Sequence, residues 1–153
     1  MVGRIFHFLL LLLVGLGLTK TALAWEYGTP AEAKALAVRA AEYYQAKGQE
    51  EAFRAFNQGS EGFRDRDLYV FVYDRNGTCI SHGANLAMIG RNLIDLTDGD
   101  GKFLIRDIVA VQTADWVTFR WRNPQTHEIQ RKKSFIVRVG DYVFGVGAYE
   151  PLH

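Results

Sequence analysis

The C-terminal stretch constrains the fold most. Three β-rich runs follow one another there: Trp116 to Arg122, Glu128 to Val139 and Tyr142 to Tyr149. Only turn-type residues separate them, Asn123-Pro124-Gln125-Thr126 and Gly140-Asp141. Connections this short join antiparallel neighbours, because a parallel crossover needs a dozen residues or more. Two further strands are expected upstream, Leu68 to Tyr73 and Thr78 to His82. Between them lies Asp74-Arg75-Asn76-Gly77, a strong hairpin turn signal. Five antiparallel strands need apolar cover on at least one face.

Helical patterns supply that cover. Thr29 is an expected N-cap, Pro30 suits the first helical position, and Glu32 can reach back in a capping box. The helix is expected through Ala46, stopping at Gly48, with Ala33, Leu36, Ala37, Ala40, Tyr43 and Tyr44 on one stripe. Small residues in that stripe suit close packing on a sheet. A shorter helix, Glu50 to Asn57, carries Ala52, Phe53 and Phe56 on one face. Between the second and third strands, Asn85 to Leu96 is expected as a loop with a short helical piece. Thr97 to Gly101 is expected as a turn and Lys102 to Val111 as a helix. The predicted class is α+β, with the long N-terminal helix on one sheet face and the helical insertion on the other.

Ahead of this domain, Arg4 gives a basic start, Ile5 to Leu18 an apolar run, and Ala22-Leu23-Ala24 a small-x-small end. That is a secretory signal peptide pattern, and the run is short for a membrane span. Residues 1–24 are therefore expected to be removed, leaving one domain over 25–153 in the periplasm or outside the cell. The alternative is an uncleaved segment that anchors the domain to the outer face of the inner membrane. Removing Arg4 and Lys20 leaves 16 basic against 17 acidic side chains, a net charge of −1. Such a balance argues against nucleic-acid binding. A single cysteine, Cys79, cannot form an internal disulfide, a zinc site or a covalent haem attachment.

The strand pattern also places candidate binding residues. Alternation puts Tyr69, Phe71 and Tyr73 on one face and Leu68, Val70 and Val72 on the other. The aromatic set is assigned to a pocket, although core aromatics would give the same pattern. Val117, Phe119 and Trp121 share a face of the third strand, and Phe135 is expected on the pocket floor with them. His82 ends the second strand, where a loop must fold over the sheet. Lys132 and Lys133 lie in the fourth strand, and one of them should point inward as a partner for a carboxylate. Register alone does not choose between them. Arg106, on the helix before the third strand, is a weaker candidate. Asp98-Gly-Asp-Gly contains part of a calcium loop but lacks its other ligands, so a turn is expected and no metal or cofactor is. No nucleophile elbow, phosphate loop or H-E-x-x-H motif is present, so no enzyme is expected.

Six segments in order resemble a single Cache domain. They are Asp67 to Asp74 with Asn76-Gly77-Thr78; Ser81-His82-Gly83 with Asn85; Gly90 to Leu93 with Asp98 to Lys102; Trp116 to Trp121 with Asn123-Pro124; Lys132 to Phe135; and Gly140 to Tyr149. The resemblance implies a PAS-like sheet of strand order 2-1-5-4-3 in chain numbering. It implies an extracytoplasmic, sensor-type domain that binds a small organic acid or related metabolite, with a histidine at the position of His82 facing the ligand. A membrane receptor or histidine kinase, and a second copy of the chain, are the partners compatible with it. The sequence contains no transmitter, which favours a free-standing binding protein. The alternative is an interaction or dimerisation module without a small ligand.

Overall fold

The computed structural model describes residues 26–151. The expected signal peptide and its cleavage point lie outside the described residues. Helix α1 (Pro30–Lys47) begins with the expected capping box. Thr29 Oγ1 accepts from the Glu32 amide at 3.2 Å, and the Thr29 amide donates back to Glu32 Oε2 at 2.7 Å. Gly48, at φ 82°, ends α1 and starts α2 (Gln49–Gln58). A two-stranded ribbon follows, β1 (Arg64–Asp65) against β2 (Leu68–Tyr69). The main sheet contains β3 (Phe71–Asp74), β4 (Cys79–His82), β5 (Ala114–Arg122), β6 (Ile129–Val139) and β7 (Tyr142–Tyr149). Its order is β4-β3-β7-β6-β5, with every pairing antiparallel. This is the order expected from the resemblance.

Two expected elements change at their ends. The strand expected over Leu68 to Tyr73 is divided at Val70. Leu68 and Tyr69 pair with Asp65 and Arg64, whereas the Val70 carbonyl accepts from the Gly83 amide, so the chain changes partner there. The helix expected over Lys102 to Val111 is shorter, α3 (Leu104–Ala110). Asp98 Oδ1 takes the Lys102 amide at 3.0 Å and Phe103 bridges to Thr97, so those two residues close the preceding turn instead.

The sheet separates two buried clusters. On one face α1 and α2 lay Ala33, Leu36, Ala37, Ala40, Ala52 and Phe56 against Leu68, Val70, Val72, Phe135, Phe144 and Val146. The alanines let α1 approach β6 and β7 closely. Phe56 is fully buried among Tyr43, Phe53, Phe63 and Phe144. Burying a side chain of this size contributes about 1.5–3 kcal/mol. On the other face Tyr69, Phe71, Tyr73, Val117, Phe119, Ile136 and Tyr149 meet Met88, Leu93, Leu104, Ile105 and Ile108. This second face holds the site.

Candidate functional site

The site is built around a buried lysine. In β6, Lys132 stands opposite Phe119 of β5 and Tyr149 of β7. Strand alternation sends it, with Ser134 and Ile136, to the face covered by α3. It is 1% exposed. Its stem crosses β7 at Gly147, where a Cβ would come within 2.6 Å of Lys132 Cε and 2.8 Å of Cγ. A side chain at position 147 would therefore push the lysine off this path. The ammonium lies 3.9 Å from the Tyr69 ring centre, 4.9 Å from Tyr149 and 5.1 Å from Phe71. Ring faces attract a cation. Among the described residues, however, no carboxylate lies within 4 Å of it and no oxygen accepts a hydrogen bond from it. Burial holds its pKa well below the ordinary lysine range, and the charge of Asp67 opposes this only in part. Asp67 is itself committed elsewhere: the Gly28 amide donates to its Oδ1 at 2.6 Å, and Asn123 Nδ2 to its Oδ2 at 3.5 Å.

His82, at the end of β4, is 3% exposed. The amides of Ala84 and Asn85 both donate to its Nδ1, at 3.3 and 3.0 Å. In the neutral ring the proton therefore sits on Nε2, which has no protein partner among the described residues. Burial, reinforced by the charge of Lys132, pushes the imidazole pKa down to about 3. The ring lies against Tyr69 and Phe71, with centres 5.0 and 6.5 Å apart. Asn57 of α2 fixes this strand end, since its Oδ1 accepts from Ser81 Oγ at 2.7 Å and from the His82 amide at 3.1 Å. Tyr149 donates to the Arg122 carbonyl at 2.9 Å, and its oxygen lies 3.1 Å from that of Tyr69. Tyr69 is left to donate to Tyr149. Burial raises the pKa values of both phenols, keeping them neutral.

These groups enclose a cavity with Tyr69, Phe71, Tyr73, His82, Phe119, Trp121 and Lys132 on its sheet side and Leu104, Ile105 and Ile108 on the α3 side. Its free space is about 10 Å³, room for a single water. Tyr69, His82 and Trp121 also form one wall of an outer groove of about 570 Å³. The arrangement offers one cationic donor, one neutral imidazole donor and an aromatic lining. Such a set can bind a small anion.

Three sequence candidates are placed elsewhere. Phe135 faces α1, with Trp116 at 4.9 Å and Lys34 Nζ 5.0 Å above its ring. It is one residue out of phase with Lys132 and Phe119, so it cannot share their face. Lys133 is exposed on that opposite face, 4.9 Å over the Trp116 ring. Arg106 is exposed on α3, paired with Asp95 and 3.9 Å over the Phe103 ring, outside the cavity. Sequence reasoning missed Asn57, Tyr149, Gly147 and the three α3 side chains. Gly145 and Gly147 share a face of β7 with Tyr149, and two glycines at strand spacing were the available signal for large neighbours crossing that strand.

The chain has relatives of known type. The family model for Single Cache domain 2 matches residues 28–150. A sensor histidine kinase, MctS of Rhizobium johnstonii, is 36% identical over 88 residues, which are 55% of this chain and 19% of the kinase. The match thus spans about a fifth of that relative. Among solved structures, a methyl-accepting chemotaxis protein from Vibrio parahaemolyticus has a TM-score of 0.68 at 24% identity, over 78% of this chain and 86% of the other. A periplasmic sensor domain of a chemotaxis protein gives 0.61 at 24% identity, over 78% and 88%. A Cache chemosensory domain described for carboxylic acid recognition gives 0.60 at 19% identity, over 78% and 86%. At these identities the structures establish the fold, and the family match covers the whole sheet and both of its faces. This chain belongs to the Single Cache domain 2 family.

Proposed function

We propose that the domain senses a small monocarboxylate outside the cytoplasm, binding it in the cavity around Lys132. The observation that carries this reading is the buried ammonium with no carboxylate partner among the described residues. A buried charge without a partner costs several kcal/mol, and an entering carboxylate supplies the missing charge. Lys132 would donate to one oxygen and His82 Nε2 to another. The rings of Tyr69, Phe71 and Phe119 would cover the alkyl part. One structural relative is a Cache chemosensory domain described for carboxylic acid recognition, which agrees with this chemistry. Since the free space is about 10 Å³, the ligand must displace α3 side chains outward on entry, which selects for short acids. The same displacement gives the bound state a different outer surface, as a sensor needs.

The test is a matched pair in a thermal-shift assay. Propionate should raise the melting temperature, by the equivalent of about 2.7 kcal/mol at 100 times its dissociation constant. Propionamide, the neutral isostere, should leave it unchanged. Equal shifts for both, or none for any short acid, would refute the reading. The extracytoplasmic location rests on the Arg4, apolar-run and Ala22-Leu23-Ala24 pattern. Mass spectrometry of the periplasmic fraction should find Trp25 as the first residue, and recovery of Met1 in membranes would overturn cleavage.

A further inference from the structure

The outer groove has a charge pattern that the inner cavity does not explain. Arg64, Arg91, Arg122 and His127 line it together with Asn85, and no aspartate or glutamate does. Arg64 donates to the Gly83 carbonyl at 3.3 Å, and Arg122 Nε to the His127 carbonyl at 2.9 Å. Each contact fixes one end of a guanidinium and leaves its other N–H groups unbound. The Arg91 guanidinium makes no hydrogen bond among the described residues. None of the three pairs with a carboxylate there, whereas Arg66, Arg75, Arg106, Arg120 and Arg131 each do. Three arginines without a carboxylate partner among the described residues thus line one concavity, with no acidic side chain beside them. Its volume of about 570 Å³ falls within the range of small-molecule sites.

We propose that this groove is a second ligand site, built for a small multivalent organic anion. Guanidinium groups bind carboxylates through two parallel hydrogen bonds, so three of them suit an acid with two or three carboxylates. Such an acid is bulkier than the short monocarboxylate assigned to the inner cavity, whose free space is about 10 Å³. The two sites share only the wall of Tyr69, His82 and Trp121, and Lys132 does not reach the groove. The site therefore stands independently of the monocarboxylate reading.

Citrate is the probe, titrated calorimetrically into the 25–153 chain at physiological ionic strength. Saturable one-to-one binding is expected, weakened about tenfold or more by Arg91→Gln and by Arg122→Gln, the loss of a hydrogen bond to a charged group. Arg54→Gln, on the exposed side of α2, should change it less than about twofold, because screening removes distant charge effects. Lys132→Met should leave saturable citrate binding in place, because Lys132 does not line the groove. The proposal fails if citrate gives no saturable signal. It also fails if Arg54→Gln weakens binding as much as the groove variants do, or if Lys132→Met abolishes it. These failures leave the propionate result untouched, so the two readings fall separately.

Discussion

The two faces of the sheet are built to different rules. Against α1 and α2 the buried cluster is apolar apart from Ser81, whose hydroxyl donates to Asn57, and its aromatic rings meet edge to face, tilted or stacked. Under α3 the same sheet buries Lys132, His82, Ser134 and two phenols that bond to each other. Ser134 Oγ has no hydrogen-bond partner among the described residues. The first face therefore stabilises the fold. The second buries polar groups whose desolvation costs stability. A sheet can hold both because side chains alternate, so each strand contributes to both faces without compromise between them.

Breaking the apolar face should have the largest effect on stability. Phe56→Ala is expected to destabilise the domain by about 3–5 kcal/mol, the range for deleting a buried aromatic ring. Chemical denaturation measures it, and a loss below about 1 kcal/mol would mean that the α1 face is not the main source of stability. On the polar face the expected signature is pH dependence. His82 stays neutral in the folded state down to about pH 3, whereas an unfolded histidine gains a proton below about pH 6.5. The unfolded chain then binds more protons, so stability falls as the pH drops between those values. The slope is at most about 1.4 kcal/mol per pH unit from this residue. His82→Asn keeps an acceptor for the Ala84 and Asn85 amides but has no titrating ring, so it should flatten that slope. An unchanged slope would place the acid sensitivity in other residues.

The hairpin pairings were legible because turns announce themselves locally, whereas the place of β7 beside β3 came from the family resemblance. Asn76-Gly77 and Gly140-Asp141 lie at the tips of hairpins. The separation of Tyr69, Phe71 and Tyr73 from Leu68, Val70 and Val72 also followed from alternation alone. Register did not. Whether Lys132 or Lys133 faces inward depends on how β6 aligns with β5 and β7, and a slip of one residue reverses every side chain. The pairing of Lys132 with Phe119 and of Phe135 with Trp116 decides it, and it also removes Phe135 from the pocket. The break at Val70 depends on a bond to Gly83, 13 residues away, which no local pattern encodes. The same holds for Asn57, whose role exists only because α2 packs beside the end of β4.

The central claim is that Lys132 is held without a countercharge until an acid arrives. Burial holds its pKa well below the ordinary lysine range, and a carboxylate bound beside the ammonium would raise it again. Binding should then take up a proton, and affinity should rise as the pH falls toward the lysine's value in the empty protein. Propionate titrated into the 25–153 chain in two buffers of different ionisation enthalpy measures both quantities at once. The account predicts net proton uptake. For Lys132→Met it predicts a loss of about 2–5 kcal/mol in binding, with the empty variant melting at or above the parent. Lys133→Ala, on the opposite face, should bind as the parent does. Undiminished binding by Lys132→Met, or binding lost equally in Lys133→Ala, would contradict it.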